Sequence, residues 1–512
     1  MSYAHNTPVL ILKEETDTRF GKNQIIRNIE MCEKIADILK TTLGPNGLDK
    51  MFFNEKSMLI TNDGATIMKS LEIVDPAAQV LLNISEAQDR DIGDGTTSVV
   101  LFASAILKKL KPLIKENTNI CLIINELTRI AQLIPSISKD LLANFSHDSL
   151  QMLAETSLNS KILNNHKRHF SKIVLETLST EDKNISIKKV SGASIDSSFI
   201  INGVAFEKCF TYAGYEQQPK RIANPKIALL KMELEWKSEI ENSEMRISGA
   251  SEYSKVVSTE WKLITDRLDK IIESGANVVL STLSIGDYAT QYFAKYGIFS
   301  AGRVPEDEIA RMTNSFGGRV LSTVSLISEK TLGKAVLFEE KEIGRTRYNI
   351  FHNSNKNSST IILRGPGMEI LAEVERSLND SMAVTRRTAL TKEIVPGGGA
   401  YEMEVSRRLR QMASDSNKTE RFVIKAVSEA FEVIPFQLAK NFGHDAINTV
   451  QVLRKAHEEG LINYGVSEGG VEDSLSAYVV EPYEVKRHMG VAALMAAASI
   501  LSIDATIVSG KQ

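Results

Sequence analysis

The stretch Gly93-Asp94-Gly95-Thr96-Thr97-Ser98 is the strongest signal in the chain, because a glycine turn here runs directly into a predicted helix. Gly93 and Gly95 leave the backbone free to come close to a ligand. The amides of Thr96–Ser98 are the unpaired donors of a helix N-terminus, which attract phosphate, and their hydroxyls can add hydrogen bonds. The stretch therefore indicates a phosphate site, although a simple capped helix after a glycine turn would have the same sequence.

Asp94 lies inside this turn but is poorly placed to touch a phosphate, since like charges repel. A carboxylate at this position suits a Mg²⁺ ion that the phosphates share. Two other familiar signatures are absent from the sequence: it has no G-x-x-x-x-G-K-[ST] loop and no H-E-x-x-H helix. Asp94 is therefore the predicted metal ligand.

Four further segments could join the same site, and each also has a plainer interpretation. Thr42–Gly47 is a tight turn after a helix, and Thr61–Thr66 is a turn after a short strand. Asp380 and Arg387 are seven residues apart, about two helical turns, so they share one helix face, as solvated ion pairs also do. Gly397–Gly399 allows close approach to a ligand or forms a hinge.

Length and composition bound the class of protein. The chain has 512 residues, which favours about three domains, and its 43% hydrophobic content is too high for a disordered protein. The formal net charge of −3 gives no electrostatic footprint for nucleic acid. Cys32, Cys121 and Cys209 form no metal knuckle or disulfide framework, so a reducing compartment is expected.

The sequence predicts neither a secretion signal nor a membrane span. Residues 1–8 contain no apolar core of signal-peptide length. The apolar segment from Gly490 to Ile503 has about fourteen residues, whereas a bilayer span needs about 20. We therefore expect a buried, alanine-rich helix there.

Hydrophobic periodicity divides the chain into helical ends and an α/β middle. A helix is predicted over Lys22–Lys40, and another from Thr96 to about Leu110, ended by Pro112. Runs rich in β-branched residues alternate with helices in the middle, and one of these helices spans Pro305–Phe316 with a mostly polar surface. A long helix should run from Glu369 to about Leu390. This order suggests one terminal domain built from both chain ends, interrupted by an insertion.

Taken together, the motifs resemble those of group II chaperonin subunits. Six segments match that family in order and rough spacing: Thr42–Pro45, Thr61–Thr66, Gly93–Ser98, Glu375–Asp380, Pro396–Gly399, and Glu481-Pro482 followed by Val485-Lys486.

The resemblance implies a multidomain α and α/β chaperonin fold. A mostly helical equatorial domain, a small α/β intermediate domain and an α/β apical domain with a helical protrusion would be nested in one another. The implied ranges are equatorial 1–147 and 400–512, intermediate 148–214 and 367–399, and apical substrate-binding 215–366. The helix Pro305–Phe316 would face the cavity and contact substrate, and the protrusion would span about Ser238–Val257.

The resemblance also assigns roles in a nucleotide site. Asp94 would hold Mg²⁺, and Asp63 and Asp380 would be catalytic, with Asp380 completing the site on closure. The implied nucleotide-binding residues are Leu43, Gly44, Pro45, Gly95, Thr96, Thr97, Ser98, Ser160, Arg387, Gly398, Glu481 and Lys486.

The implied activity is ATP-dependent protein folding, with ATP/ADP and Mg²⁺ as cofactors and ATP hydrolysis driving lid closure. Implied partners are seven related subunits in a cytoplasmic double ring of about sixteen, and unfolded clients such as actin and tubulin. No nucleic acid or membrane partner is expected. Two alternatives remain: a scaffold subunit of the same ring with little turnover of its own, and a stand-alone ATP-dependent enzyme.

Overall fold

The computed structural model of the chain describes residues 17–54, 57–73, 75–159, 162–235, 250–355, 357–416 and 418–508. Ser160 lies outside these residues, and so does the predicted protrusion up to residue 249.

Helices α1 to α16 lie at Lys22–Leu39, Gly64–Ser70, Pro76–Asp91, Thr96–Lys115, Ile120–Ser138, His147–Leu158, Lys167–Thr177, Ala250–Glu273, Asp287–Lys295, Glu306–Phe316, Met368–Thr391, Ala400–Ser414, Lys418–Phe431, Val433–Phe442, Ala446–Glu458 and Tyr483–Leu501.

Strands β1 to β19 lie at Asp17–Phe20, Lys50–Asn54, Ser57–Thr61, Ile185–Ser191, Phe199–Glu207, Arg221–Ala223, Lys226–Leu230, Val278–Ser281, Phe299–Ala301, Val320–Leu321, Gly333–Lys334, Leu337–Ile343, Thr346–His352, Ser359–Gly365, Ile394–Pro396, Tyr464–Ser467, Gly470–Asp473, Val480–Pro482 and Ala505–Val508.

The chain divides into two compact units. The first unit contains Met1–Leu175 and Arg376–Gln512, so both ends of the chain build it, and the second unit contains Glu176–Glu375. The predicted mixture of helical and α/β architecture is confirmed. The boundaries of the three predicted domains stay a prediction.

The first unit is a helical bundle around α4, α13 and α16. Helix α1 buries the predicted stripe, which includes Ile25, Ile29 and Leu39. Helix α16 covers most of the expected alanine-rich segment, and its Gly490 lies so close to α5 that a Cβ would come within 3.2 Å of Ile134 Cδ1. Small residues therefore let these two helices pack tightly.

The predicted end of α4 near Leu110 is wrong, because the helix continues through Pro112 to Lys115. A proline removes its own amide donor from the helix ladder and crowds the carbonyl four residues earlier. Ile114, beyond the proline, is buried in the core, and the Pro112 carbonyl still accepts a bond from the Glu116 amide at 3.0 Å. Burial of this last turn outweighs the missing hydrogen bond.

Among the described residues, one segment, Ile120–Leu141, is long and apolar enough to cross a membrane by length and composition. It corresponds to α5 and the turn that follows it. Ile123, Leu127, Ile130 and Ile134 on one face of α5 belong to the buried core of the first unit. The core helix of a globular unit passes the same length and composition test.

The second unit contains two sheets. The larger has the strand order β4-β14-β5-β13-β12-β6. The other has the order β10-β7-β8-β9, all parallel, with β11 antiparallel to part of β7. Helices α8 and α9 connect the parallel strands, as the alternating pattern predicted.

Helix α10 covers the predicted segment after Pro305, and its buried side is wider than the predicted apolar stripe. Ile309 and Met312 are buried as predicted, but polar Glu308 and Arg311 are buried as well. Glu308 binds Arg311 Nη1 at 2.7 Å and Lys188 Nζ at 2.5 Å. We name Glu308, Arg311 and Lys188 the arginine cluster. Some polar residues of α10 therefore form an internal ion network, whereas the sequence predicted all of them on the surface of the helix.

Candidate nucleotide site

Three turns of the first unit and the part of α11 that belongs to it meet at an open pocket with a cavity volume of about 90 Å³. The turns follow α1, follow β3 and precede α4. The lining residues are Thr42, Leu43, Gly44, Asn62, Asp63, Gly64, Gly93, Asp94, Gly95, Thr96, Thr97, Ser98 and Asp380. Segments that are hundreds of residues apart in sequence therefore form one polar pocket.

The turn before α4 presents a helix N-terminus to the pocket. Gly95 caps α4 in the left-handed conformation, with a φ of 78°, and within the described chain no side chain caps this helix. The first helical bond joins the Val99 amide to the Gly95 carbonyl at 3.0 Å, so the amides of Thr96–Ser98 precede the ladder. Such amides attract anions.

Glycine is required in this wall of the pocket. A Cβ on Gly44 would lie 2.5 Å from Leu438 Cδ2, and one on Gly95 would lie 2.9 Å from Val485 Cγ1. Gly44 also has a φ of 86°, which side chains rarely adopt. The residues present therefore shape a cradle that a larger side chain would fill.

Asp63 caps α2 while facing the pocket. Its Oδ2 accepts bonds from the Thr66 amide at 2.9 Å and from Thr66 Oγ1 at 2.7 Å. Its Oδ1 accepts a bond from Thr96 Oγ1 at 3.1 Å. The carboxylate is thus both a structural cap and a link between two of the pocket turns.

Asp94 is held by its own turn. Its Oδ1 accepts a bond from the Gly95 amide at 2.6 Å. Although Asp63, Asp94 and Asp380 all line the pocket, no group of three His, Cys, Asp or Glu side chains in the described chain lies close enough to hold a metal alone. Mg²⁺ is usually bound by one or two carboxylates together with substrate phosphates, so this donor set fits it.

Asp380 reaches the pocket from α11, and the same helix is joined to the Asp63 turn. One helical turn earlier, Arg376 Nη1 donates to Thr61 Oγ1 at 3.2 Å, and this oxygen also accepts the Asp63 amide at 3.1 Å. Arg387, two turns beyond Asp380, does not line the pocket. It donates to the Asp91 carbonyl, and its Nε lies 3.5 Å from Glu484.

Glu481 and Lys486 form a separate group, whereas Gly398 lies against Val466, where a Cβ would come within 2.8 Å of the Val466 carbonyl oxygen. β15 pairs with β18, which sets Glu481 opposite Val395, just before the glycine run. Lys486 Nζ lies 2.6 Å from Glu481 Oε2 and 2.7 Å from Glu402 Oε1. We name Lys486, Glu402 and Glu481 the lysine cluster.

Burial and neighbouring charges shift the pKa values of two members of the lysine cluster. Burial alone lowers the pKa of Lys486, but the two carboxylates raise it above its ordinary value. Burial raises the pKa of Glu481, and the Asp94 carboxylate adds to this rise, although Lys486 opposes it. Glu402 adds more to the rise in the pKa of Glu481 than Asp94 does.

The structure thus gathers nine predicted site residues in the pocket: Leu43, Gly44, Asp63, Asp94, Gly95, Thr96, Thr97, Ser98 and Asp380. Pro45 and Arg387 lie outside its lining, and Ser160 lies outside the described residues. Sequence reasoning did not select Thr42, Asn62, Gly64 and Gly93 as site residues, although they stand inside the same motifs. A Cβ on Gly64 would meet Thr97 at about 2.6 Å, which shows why that turn needs glycine.

Comparison with known proteins identifies the class. The TCP-1/cpn60 chaperonin family model matches residues 35–511, and the chain belongs to this family. It is therefore a chaperonin subunit, a molecular chaperone, as the six motifs predicted.

Within the family, the most similar proteins point to one subunit type. The chain is 47% identical to "T-complex protein 1 subunit eta" of Encephalitozoon cuniculi, over 97% of each chain. It is 44% identical to the eta subunit of Tetrahymena pyriformis, over 98% of this chain and 93% of the relative, and 41% identical to that of Homo sapiens, over 98% and 95%. Residues such as Tyr212–Tyr215 and Asn224–Leu230 already predicted this likeness to the eta subunit of the eukaryotic cytosolic chaperonin TRiC/CCT, and the prediction is confirmed.

Proposed function

We propose that the pocket binds ATP with Mg²⁺ and hydrolyses it as part of a protein-folding cycle. The supporting observation is that three carboxylates converge at the N-terminus of α4 beside glycine turns. The amides of Thr96–Ser98 bind the phosphates. Gly44 and Gly95 have no side chains, so they leave room for the phosphates to approach the backbone. Leu43 and Pro45 shape the turn beside them.

Asp63 and Asp380 act on the attacking water. A carboxylate within reach can orient or deprotonate water for in-line attack on the γ-phosphate. Asp94 would hold Mg²⁺, which when bound offsets the negative charge of the phosphates. Because Asp380 belongs to a helix separate from the turns, hydrolysis would depend on where that helix lies, which couples it to domain closure.

The base and ribose would lie toward Gly398, Glu481 and Lys486, with Ser160 on the same side, and Arg387 would approach the nucleotide from the side of Asp380. Val485, next to Lys486 in the chain, packs against the Gly95 turn, where a Cβ on Gly95 would lie 2.9 Å from Val485 Cγ1, and this contact supports the direction. The equatorial, intermediate and apical ranges 1–147 and 400–512, 148–214 and 367–399, and 215–366 stand as our proposed division.

The wider setting is a cytoplasmic double ring of about sixteen subunits, formed with seven related subunits. Three free cysteines are consistent with a reducing compartment. Clients such as actin and tubulin would meet the exposed face of α10, where Asp307, Ala310 and Asn314 are exposed. A native mass of a monomer or dimer in gentle cell extract would contradict the ring.

Two other functions are less well supported. A scaffold subunit without turnover would not need three aspartates around one pocket, and all three are present. A stand-alone ATP-dependent enzyme disagrees with a family match along almost the whole chain.

Asp380→Ala tests the proposal in the assembled ring. An azido-adenine ATP, labelled in the α- or the γ-phosphate, is crosslinked to the chain, and the γ to α ratio on this subunit is followed over time. A general base typically contributes 10²-fold or more, so loss of the γ label should slow by about 100-fold while α labelling persists.

Asn379→Ala, at an exposed neighbouring position on the same helix, is the matched control and should lose the γ label at the wild-type rate. Equal loss of γ label in Asp380→Ala and wild type would contradict the catalytic role of Asp380. Absence of α labelling in the wild type would contradict nucleotide binding itself.

A further inference from the structure

Gln88, near the end of α3, has a fully buried side chain whose amide is bonded at both ends. Its Nε2 donates to the Asp94 carbonyl at 2.8 Å. Its Oε1 lies 2.6 Å from Nδ1 of His488 on α16. One side chain therefore joins the turn that carries the predicted metal ligand to the helix that carries Lys486.

The backbone of Gln88 holds the same turn at its start. Its carbonyl accepts bonds from the Ile92 amide at 2.9 Å and from the Gly93 amide at 3.1 Å. A Cβ on Gly95 would lie 3.2 Å from Gln88 Nε2, so the amide also packs against the end of the turn. Gln88 thus touches the turn before, at and after Asp94.

The pairing with His488 has a definite direction. Burial lowers the pKa of His488, so the ring is neutral at neutral pH and Nδ1 carries the hydrogen that Gln88 Oε1 accepts. A buried amide that loses a partner bears the cost of desolvation without compensation. Loss of the bond from Gln88 to the Asp94 carbonyl or of the bond to His488 should therefore let the Asp94 turn move, in addition to lowering the stability of the fold.

We propose that Gln88 is a positioning residue that fixes the Asp94 turn against α16, so that the Mg²⁺ side and the base side of the nucleotide site keep one geometry. This inference rests on the proposed nucleotide function. Residues that orient a metal ligand without touching the metal typically change metal affinity by about 10–100-fold when replaced.

Gln88→Met tests this role, because methionine has a similar length but makes neither bond. In the assembled ring, crosslinking of azido-adenine ATP to this subunit is measured against Mg²⁺ concentration. The midpoint of the Mg²⁺ titration should rise about tenfold, with labelling restored at high Mg²⁺. Gln79→Met makes the same change at an exposed position on the same helix and should leave the midpoint unchanged.

A second pair of variants, at His488, tests the same role even if the Gln88→Met subunit does not assemble into the ring. His488→Asn keeps a donor close to the position of Nδ1, whereas His488→Leu removes it. The Mg²⁺ midpoint should therefore shift more in His488→Leu than in His488→Asn, which a general loss of stability would not reproduce.

Unchanged Mg²⁺ midpoints in Gln88→Met and in His488→Leu would each overturn the positioning role, while the proposed function would stand. If the wild-type subunit were not labelled at any Mg²⁺ concentration, the proposed function would be overturned, and this inference with it.

Discussion

Each unit of the chain holds a three-membered ion cluster with two buried members and one half-buried member, Glu481 or Lys188, and the two clusters have opposite charge counts. The lysine cluster in the first unit places one cation between two carboxylates. The arginine cluster in the second unit places one carboxylate, Glu308, between two cations. Each cluster leaves one buried polar atom without a partner in the described chain, Glu402 Oε2 and Arg311 Nε respectively.

The difference shows what each cluster holds in place. Lys486 ties the first turn of α16 to the helix that follows the glycine run. Arg311 ties α10 to the neighbouring backbone, since its Nη2 also donates to the carbonyl of Ser359 at 3.0 Å. Buried ions add little net stability but penalise any rearrangement that separates them. Both clusters therefore fix an element with a proposed role, nucleotide binding in one unit and client contact in the other.

The largest effect is expected from Lys486→Met. It leaves the buried Glu402 and the half-buried Glu481 without their shared cation, and breaking a buried pair in this way costs about 4 kcal/mol. Hydrogen exchange of α16 in the full chain should therefore accelerate strongly.

Lys455→Met is the control for this change, since Lys455 is exposed and only 3.9 Å from Glu459, and it should leave exchange unaltered. Unchanged protection of α16 in Lys486→Met would mean that the lysine cluster holds nothing in place.

A second effect concerns Glu404, a buried carboxylate of the first unit with cationic partners on several sides. Burial raises its pKa, but bonds from Arg407, His457 and Arg408 outweigh this and lower it to about 2. Because the folded-state pKa lies below the ordinary 4.5, the contribution is complete above that pH and is lost as the pH falls towards 2. About 3 kcal/mol should depend on it.

Thermal unfolding of the full chain between about pH 6 and about pH 3 measures this contribution. Glu404→Gln should lower the unfolding temperature at the higher pH and flatten its acid dependence. Glu459→Gln, at an exposed position, should reproduce the wild-type curve. An acid dependence that is equally steep in Glu404→Gln would assign the loss of stability to other groups.

The smallest effect is expected from Arg311→Met. Glu308 keeps its ion pair with Lys188 after this change, so no carboxylate is left without a cation. The expected cost is about 2 kcal/mol, mainly from lost bonds to backbone carbonyls. Hydrogen exchange of α10 should accelerate less than that of α16 in Lys486→Met.

Arg319→Met, at an exposed position beyond the same helix, is the matched control. If Arg311→Met proved more harmful than Lys486→Met, the charge count of the two clusters would not explain their energetics.

The glycine turns and the long helices could be predicted from sequence because their causes are local. Gly44 and Gly95 stand where the backbone turns sharply, and the apolar stripe of α1 repeats at helical spacing. The position of Asp380 on a helix, on the same face as Arg387, could be predicted from helical periodicity. Local rules thus marked the individual segments, and the family resemblance predicted that they share one site.

Contacts between distant segments could not be read in the same way. Arg376 meets Thr61 across 315 positions, and Lys486 meets Glu402 across 84. Nothing in the sequence near Glu308 distinguishes a buried glutamate from its exposed neighbours in the same turn. Pro112 was misjudged because the burial of Ile114, which keeps the helix going, depends on the rest of the bundle.

The most direct test of the nucleotide site is an electron cryo-microscopy map of the assembled ring with a non-hydrolysable ATP analogue and Mg²⁺. Our account predicts phosphate density at the N-terminus of α4, a metal next to Asp94, and the base toward Glu481 and Gly398. A pocket of this subunit that stays empty at saturating nucleotide, while other subunits of the same ring are occupied, would contradict it.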